Sequence, residues 1–424
     1  MESPLPLLRL LGSAVTVRQN EFGYPAVPRD YALRPHITDE QWSRFDIYAE
    51  RVRVLGSSNE RMNPGVFERI FQMRGRPMFP NLQELTWSAE SYSSVQGLPG
   101  FMTASLSRVC IRVGTSDATD AIHHLSHIQG DQPALKSLEL EMTRLYSGQT
   151  LSKFHHIRDL KLGCPIAPEV FAIIAALHSL SELSINLEQI RDQDVPSPLA
   201  PRFPHLKTLK IRASMFVVVA TIQSIASSTL HELIVELIPS SSLPRTRALC
   251  VAVSRFSLTL RTLSVRRHLW LGLAGSPYEL RPRDIAPLLD LKELRSLTLQ
   301  FSTNLTYWTS ADLQNWSIAW PLLEEMCFIL HAPSTFRSLV QLVSHFPFLR
   351  SLTWPDVKVY DSLEFEESKV FSPHPLVYLH VNFLLVEGPA ASAEVGFALK
   401  ELFPKLSRMS RINPPAIHRF LEGC

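Results

Sequence analysis

The chain contains 424 residues, of which 45% are hydrophobic and 19% are charged. This composition supports a large continuous core and excludes an intrinsically disordered protein. Lys and Arg total 42 and Asp and Glu total 40, so the formal net charge is +2. That balance argues against a nucleic-acid partner, because such a protein needs a basic face to neutralise phosphates.

Five cysteines are scattered along the chain, and none belongs to a C-x-x-C pair. Their odd number and spacing predict buried thiols in an intracellular protein, cytoplasmic or nuclear, rather than a disulfide or zinc framework. The first residues lack the basic start of a signal peptide, and the most apolar run, 215–225, is too short to span a bilayer. We therefore expect no membrane partner, and the sequence shows no cofactor motif.

Residues 1–75 are predicted to form an N-terminal helical cap that shields the first repeat of the array described next. Thr38 precedes a helical stretch and Gln41 follows three residues later, which is the spacing of a capping box. A weaker copy of the repeat covers Ala49–Val54.

Thirteen stretches repeat one phrase: an apolar residue, two variable residues, an apolar residue, one variable residue and usually another apolar residue. The clearest copies are 135–140, 206–211 and 294–299. Successive copies lie 22 to 34 residues apart with a mean of 27, a period typical of leucine-rich repeats. The copies begin at Leu82, Leu106, Leu135, Ile157, Leu180, Leu206, Leu230, Leu260, Leu294, Leu323, Leu349, Leu376 and Leu406.

Segments with helical spacing lie between the phrases. In 335–346, Phe336, Leu339, Val340 and Val343 recur at i, i+3, i+4 and i+7, which is one helix face. The segments 169–180 and 215–225 have a similar character. Strands that alternate with helices predict an α/β fold, a leucine-rich-repeat solenoid with a curved parallel sheet backed by helices, over residues 76–424.

An aromatic residue followed by proline introduces five of the phrases. Proline cannot continue a helix and biases the preceding residue towards extended backbone, so each pair is expected to stop a helix and start a strand. We expect the aromatic rings to pack in the core rather than bind a ligand. The pairs are Phe79-Pro80, Phe203-Pro204, Trp320-Pro321, Phe346-Pro347 and Phe403-Pro404.

The strand period of two divides each phrase between a core face and an open, concave face. Eight acidic and seven basic residues fall on the predicted open face, so no field of one sign steers a polyanion towards it. A mixed polar face suits a protein partner, and a plain solvated face is the alternative. The predicted members are Glu84, Glu139, Glu141, Asp159, Glu182, Glu232, Glu236 and Glu325, with Arg108, Arg112, Lys161, Lys210, Arg212, Arg266 and Arg408.

The long spacing after Leu260 predicts a protruding loop that is rich in basic and aromatic residues. Loops on a rigid scaffold commonly carry binding residues, and buried arginine and aromatic anchors dominate protein interfaces. The candidate partner-binding residues, from this loop and the middle of the open face, are Arg212, Arg266, Arg267, Trp270 and Tyr278.

The sequence contains no nucleophile elbow, phosphate-binding glycine loop, dinucleotide fingerprint or H-E-x-x-H motif. We therefore predict a protein that is not an enzyme and has no catalytic, cofactor-binding or metal-binding residues. His123 and His127 could share a helix face and raise the remote alternative of a metal-dependent enzyme. A metal site needs further ligands, so surface or capping histidines are the preferred interpretation.

Several segments resemble the F-box/leucine-rich-repeat proteins of mushroom-forming fungi, and the resemblance spans nearly the whole chain. They are residues 6–12, 49–55, 319–324, 344–352 and 402–406. In that family an N-terminal F-box recruits the Skp1 adaptor of a cullin-RING ubiquitin ligase, and the repeats hold the substrate. An F-box would precede residues 6–12, and the sequence begins at Met1, so no Skp1-binding residues are assigned here.

The leading hypothesis is a non-catalytic protein-recognition module that resembles the substrate-binding repeats of an F-box protein. Its implied partners are a protein substrate of unknown identity and the Skp1/cullin-RING machinery if an F-box lies upstream. The alternative is a stand-alone leucine-rich-repeat scaffold with no link to a ubiquitin ligase.

Overall fold

The structure, a computed structural model, describes residues 5–18, 30–34, 36–56, 65–89, 97–113, 134–142, 149, 151–194, 202–238, 246–267, 281–300, 309–329, 334–358, 374–385 and 399–410. The chain forms two compact units. Unit 1 comprises Met1–Pro196 and Ala200–Leu206, and unit 2 comprises Ser197–Leu199 and Lys207–Cys424.

Unit 1 places helices and a short hairpin before a parallel sheet. Strands β1 and β2 pair antiparallel, and strands β3 to β8 pair in chain order, all parallel. Its helices are α1 (Leu5–Leu8), α2 (Asp39–Ala49), α3 (Gly65–Arg74) and α4 (Pro168–Ala175), and its strands are β1 (Val15–Arg18), β2 (Asp30–Leu33), β3 (Val54–Leu55), β4 (Glu84–Ala89), β5 (Arg108–Val113), β6 (Ser137–Glu141), β7 (Asp159–Pro165) and β8 (Glu182–Asn186).

Unit 2 repeats the alternation of strand and helix. Strands β9 to β13 pair in chain order, β13 pairs with β15, and β15 to β17 continue in order, all parallel, while β14 pairs with β15 outside this path. Its helices are α5 (Met215–Ser224), α6 (Thr246–Ser254), α7 (Pro282–Ile285), α8 (Ser310–Ala319) and α9 (Phe336–His345), and its strands are β9 (Thr208–Ala213), β10 (Glu232–Leu237), β11 (Thr262–Arg267), β12 (Ser296–Gln300), β13 (Glu325–Ile329), β14 (Ser334–Thr335), β15 (Ser351–Lys358), β16 (Tyr378–Leu385) and β17 (Arg408–Ser410).

Helix α2 starts with the predicted capping box. The Gln41 N–H donates to Thr38 Oγ1 at 3.3 Å, and the Thr38 N–H donates to Gln41 Oε1 at 3.0 Å. The same Gln41 side chain donates from Nε2 to the Leu11 carbonyl at 2.7 Å, which fastens the first segment of the chain to α2. The predicted division between 1–75 and 76–424 stays a proposal, although the weak copy at 49–54 leads into β3, which pairs with β4.

Helix α3 is held against α2 by a half-buried ion-pair cluster. The Arg74 guanidinium lies over the rings of Trp42 and Phe45, 5.0 and 5.4 Å from their centroids, and pairs with Asp46. Arg76 Nη2 donates to the second oxygen of Asp46 at 2.7 Å. These polar contacts fix the position of α3 against α2 in addition to apolar packing.

Every one of the thirteen phrases leads into a parallel strand that begins two residues after its first apolar residue. Strand β10 shows the predicted alternation of half-buried and buried side chains along its whole length. In register, Leu209, Leu233, Leu263 and Leu297 form a buried column, each at most 1% exposed. Truncating one such leucine to alanine costs about 2–5 kcal/mol, so this column holds the repeats together.

A backbone ladder fixes the register where the strands begin. The Lys207 carbonyl accepts hydrogen bonds from the N–H groups of His231 and Glu232, at 2.8 and 3.1 Å. The residues just before β10, β11, β12, β13 and β15 repeat this double acceptance, as with the Arg261 carbonyl and the N–H groups of Arg295 and Ser296. Because each carbonyl satisfies two donors, the backbone along this edge of the sheet has little freedom.

The aromatic residues of the five aromatic-proline pairs are buried, each at most 3% exposed, which confirms their predicted packing in the core. Trp320 also donates from Nε1 to the Leu288 carbonyl at 3.0 Å, a buried hydrogen bond. Phe203 corrects one expectation, because its φ is 55° rather than extended. A left-handed conformation costs an L-residue roughly 1–2 kcal/mol, and the ring of Phe203 is 1% exposed, so burial offsets this strain.

His374 links neighbouring repeats at the start of β16. Its Nε2 lies 2.9 Å from the Phe346 carbonyl, and its Nδ1 accepts a hydrogen bond from the Leu376 N–H at 3.2 Å. These two contacts select the neutral ring that carries its proton on Nε2. Burial lowers the pKa of His374, with the bond to the Phe346 carbonyl acting in the opposite direction.

Candidate functional site

The strand registers place all fifteen charged residues of the predicted open face at the first, third or fifth aligned position of their strands. Position one includes Thr208 and Glu232, position three Lys210, and position five Arg212. The intervening positions, such as Leu209 and Ile211, are buried. The open face therefore follows from the period of two.

In unit 1 part of the open face is a network of ion pairs and hydrogen bonds. Arg112 Nε lies 2.8 Å from Glu141 Oε2, and Arg112 Nη2 lies 3.7 Å from Glu139 Oε1. Ser137 Oγ donates to Asp159 Oδ2 at 2.8 Å. Exposed ion pairs of this kind contribute little to stability, and their charges are already partnered within unit 1.

Cys110 lies among these residues at position three of β5 but is only 5% exposed. Burial raises the pKa of its thiol to about 11, and the Glu139 carboxylate acts in the same direction. A thiol with such a pKa stays protonated near neutral pH and is a poor nucleophile.

In unit 2 the third position forms an uncharged floor across five neighbouring strands. We call the side chains at this position the floor; they are half-buried or buried and small or medium in size. Within the described residues, the Ser264 hydroxyl is buried and has no hydrogen-bond partner. The floor residues, in register, are Ile234, Ser264, Thr298, Cys327 and Thr353.

One border of the floor is position one, which carries both hydroxyl and carboxylate side chains. Thr208, Glu232 and Thr262 are in register, followed by Ser296 and Glu325. Ser296 Oγ donates to Glu325 Oε2 at 2.9 Å. This border offers hydrogen-bond donors and acceptors to a ligand at close intervals.

The other border is position five, which brings the two predicted arginine anchors together around one acid. Arg212, Glu236 and Arg266 are in register on β9, β10 and β11. Glu236 Oε1 also lies 3.5 Å from Lys210 Nζ. Arg266 is exposed and Arg212 is half-buried. On the floor strands β10 and β11 this border carries one acid and one arginine, and Arg212 adds a second arginine from β9, whose third position is Lys210.

Of the three remaining candidate residues, only Arg267 lies within the described part of the chain. Arg267 is the last residue of β11, half-buried and opposite Leu237, at position six instead of on the open face. Trp270 and Tyr278, and with them the predicted protruding loop, lie outside the described residues, as do His123 and His127. Within the described ranges no group of three His, Cys, Asp or Glu side chains is arranged to hold a metal ion. Among the described helices, none has both the length and the apolar character needed to cross a bilayer.

Sequence reasoning missed the second position of the phrase, which lies just before each strand. In unit 2 four of the eight residues at this position are exposed and basic, and one is acidic. The charge at each position of the phrase is visible in the sequence and indicates this bias. The residues are Lys207, His231, Arg261, Arg295, Glu324, Arg350, Val377 and Ser407.

Each repeat contributes one parallel strand to a sheet, its apolar residues form a column in register, and helices lie between the strands. These features define the chain as an α/β leucine-rich-repeat solenoid protein. No protein-family model and no curated protein sequence matches it. Among solved structures, it is similar to a leucine-rich-repeat protein of Leptospira interrogans, with 15% identity, a TM-score of 0.41 and coverage of 81% of this chain and 83% of that one. Rad7 in the yeast Rad7–Elc1 complex aligns with 14% identity, a TM-score of 0.39 and coverage of 85% and 86%.

An internalin of Listeria monocytogenes aligns with 13% identity and a TM-score of 0.36, covering 79% of this chain and 81% of that one. All three TM-scores are below 0.5. The class of this chain therefore rests on the register and burial of its own strands.

Proposed function

We propose that the chain is a non-catalytic protein-recognition module that binds a protein partner through the open face of unit 2. The observation that carries this proposal is the uncharged floor between two polar borders. A buried hydroxyl without a partner, such as that of Ser264, is costly. Because that hydroxyl is shielded from solvent, the half-buried Thr298 and Thr353 are the floor hydroxyls proposed to meet a ligand.

Arg266 and Arg212 are the proposed anchors of that interface. Arginine is enriched among the residues that dominate binding energy, because its planar guanidinium makes several hydrogen bonds at once. Their placement on either side of Glu236 favours a partner surface of mixed charge, with carboxylates opposite the arginines and a donor opposite Glu236.

A site-specific photo-crosslinker tests this proposal. Placed at Thr298 in the floor, it should capture a discrete protein from a cell extract, whereas the same group at Gln314, exposed on α8, should not. Capture at Thr298 should be lost in an Arg266→Glu variant and kept in an Arg247→Glu variant, which makes the same charge change on α6. Equal capture from both crosslinker positions would contradict recognition by the floor.

We also propose, on the family resemblance alone, that the partner is a substrate of a cullin-RING ubiquitin ligase. The stand-alone scaffold remains the second candidate. A pull-down of recombinant Skp1 by this chain separates the two, since no retention above background removes the ligase proposal and leaves recognition by the open face untouched. We place the protein inside the cell, in the cytoplasm or nucleus, because Cys110, Cys164 and Cys250 are buried free thiols.

A further inference from the structure

The edge of the unit 2 sheet where the strands begin carries a row of basic side chains that is separate from the open face. We call Lys207, Arg261, Arg295 and Arg350 the basic ladder. All four are exposed, and each is the residue just before a strand. Between Lys207 and Arg350 this position also holds His231 and a single acid, Glu324. The row is strongly basic in a chain whose formal net charge is only +2.

The backbone of the basic ladder is preorganised. The carbonyls of Lys207, Arg261 and Arg295 each accept hydrogen bonds from two N–H groups of the next strand, at 2.8 to 3.1 Å. The side chains therefore project from backbone that is already ordered, and binding needs to restrict only their rotamers. Adjacent parallel strands lie about 4.8 Å apart, so the five intervals from β9 to β15 span about 24 Å.

Most of the positive charge of the basic ladder is available to a ligand. Arg295 Nη1 pairs with Glu324 Oε1 at 3.0 Å. Within the described residues, Lys207, Arg261 and Arg350 have no carboxylate at ion-pair distance. The adjoining first position contributes Glu232 and Glu325, and Glu325 is already bound by Ser296.

We propose that the basic ladder binds an extended acidic segment of a protein partner. An extended chain rises about 3.3 Å per residue, so about seven residues cover the ladder. Exposed basic groups spaced along a straight edge match carboxylates that recur along an extended peptide.

Single-stranded nucleic acid is the less suitable ligand for this edge. Proteins that bind it combine a basic groove with aromatic rings on which the bases stack. Among the described residues of the edge hydrogen bonds from Lys207 to Arg295, His231 is the sole aromatic one, and its ring is engaged through Nδ1, 3.1 Å from the Thr259 carbonyl. Aromatic residues flank the other end of the row, where the Tyr378 N–H donates to the Arg350 carbonyl at 3.0 Å and Phe348 is 57% exposed, so stacking partners are confined to one end.

The test uses the full chain and a fluorescein-labelled decamer of glutamate, followed by fluorescence anisotropy at about 0.15 M ionic strength. The triple variant Lys207→Gln, Arg261→Gln, Arg350→Gln should bind the peptide about tenfold more weakly, the product of three exposed ion pairs that each contribute about twofold. The matched control makes the same charge change at exposed residues outside the ladder, Arg247→Gln on α6, Arg283→Gln on α7 and Lys400→Gln, and should bind like the parent. Far-UV circular dichroism checks that both variants keep the parent fold.

Three results would overturn the proposal: no measurable binding of the peptide by the parent chain, equal loss in the control variant, or tighter ladder-dependent binding of an oligothymidine than of the peptide. The last result would assign the edge to nucleic acid. This inference does not depend on the open face, since Arg266→Glu should leave peptide binding within about twofold of the parent. If the basic ladder did not bind the acidic peptide, the expected photo-crosslinking from Thr298 in the floor would be unaffected.

Discussion

Replacing Trp320 by phenylalanine is expected to destabilise unit 2 by about 1–3 kcal/mol. The indole is fully buried, and its Nε1–H donates to the Leu288 carbonyl at 3.0 Å. Phenylalanine has no donor, so the Leu288 carbonyl loses one of its two hydrogen bonds and keeps the one from the Leu291 N–H at 3.0 Å. The loss of one such bond costs about 0.5–1.5 kcal/mol. The smaller ring also weakens the contact with Trp316, whose centroid lies 5.8 Å away, and such contacts contribute about 0.5–1.5 kcal/mol.

Urea unfolding of the full chain by far-UV circular dichroism measures the effect, and hydrogen exchange of β12 and β13 locates it. The control is Ile318→Ala, because that side chain lies on α8 two residues before Trp320 but is 68% exposed. Its free energy of unfolding should change by less than about 0.5 kcal/mol. If Trp320→Phe behaves like this control, the buried hydrogen bond does not stabilise the repeats and our reasoning is wrong.

Three further predictions concern other parts of the chain. Thr38→Ala should lower the free energy of unfolding by about 1 kcal/mol through loss of the helix cap, whereas Thr38→Ser should not, as read from urea midpoints. Burial lowers the pKa of His374, so its stabilising contribution is complete above its ordinary pKa of about 6.5 and is lost as pH falls through the lower folded value. A His374→Gln variant should lose this part of the acid sensitivity, and an unchanged pH dependence would refute the assignment. Burial raises the pKa of Cys110 to about 11 and of Cys250 to about 12. Alkylation of these two thiols at about pH 8 should therefore be slow until urea unfolds the chain. Rapid labelling of Cys110 or Cys250 in the native protein, mapped by mass spectrometry, would contradict this.

The repeat architecture was predictable because it is encoded locally. Leu209 and Ile211 alternate with Thr208 and Lys210, and the side chains of a strand must alternate between faces. The capping box at Thr38 was predictable for the same reason, since both partners lie within one helical turn.

The relation between distant residues was not predictable in the same way. Lys207, Arg261, Arg295 and Arg350 share the second position of their phrases, which indicates a basic row, but the sequence does not indicate that, within the described part of the chain, Arg295 alone of the four is paired with an acid, Glu324. The left-handed φ of Phe203 also depends on its surroundings, since burial of the ring outweighs the bias of the following proline. The placement of Glu236 between Arg212 and Arg266 likewise follows from strand register.

The amino-acid sequence by itself determined the fold class, the strands and the face on which each strand residue lies, because these depend on periods of two and about 3.6 residues. Only the tertiary structure decided which side chains of different repeats become neighbours. It built the uncharged floor of unit 2 from Ile234 to Thr353, and it aligned the basic ladder along the edge. The physical reason is that hydrogen bonds between strands set register across residues that the chain itself separates by one or more repeats.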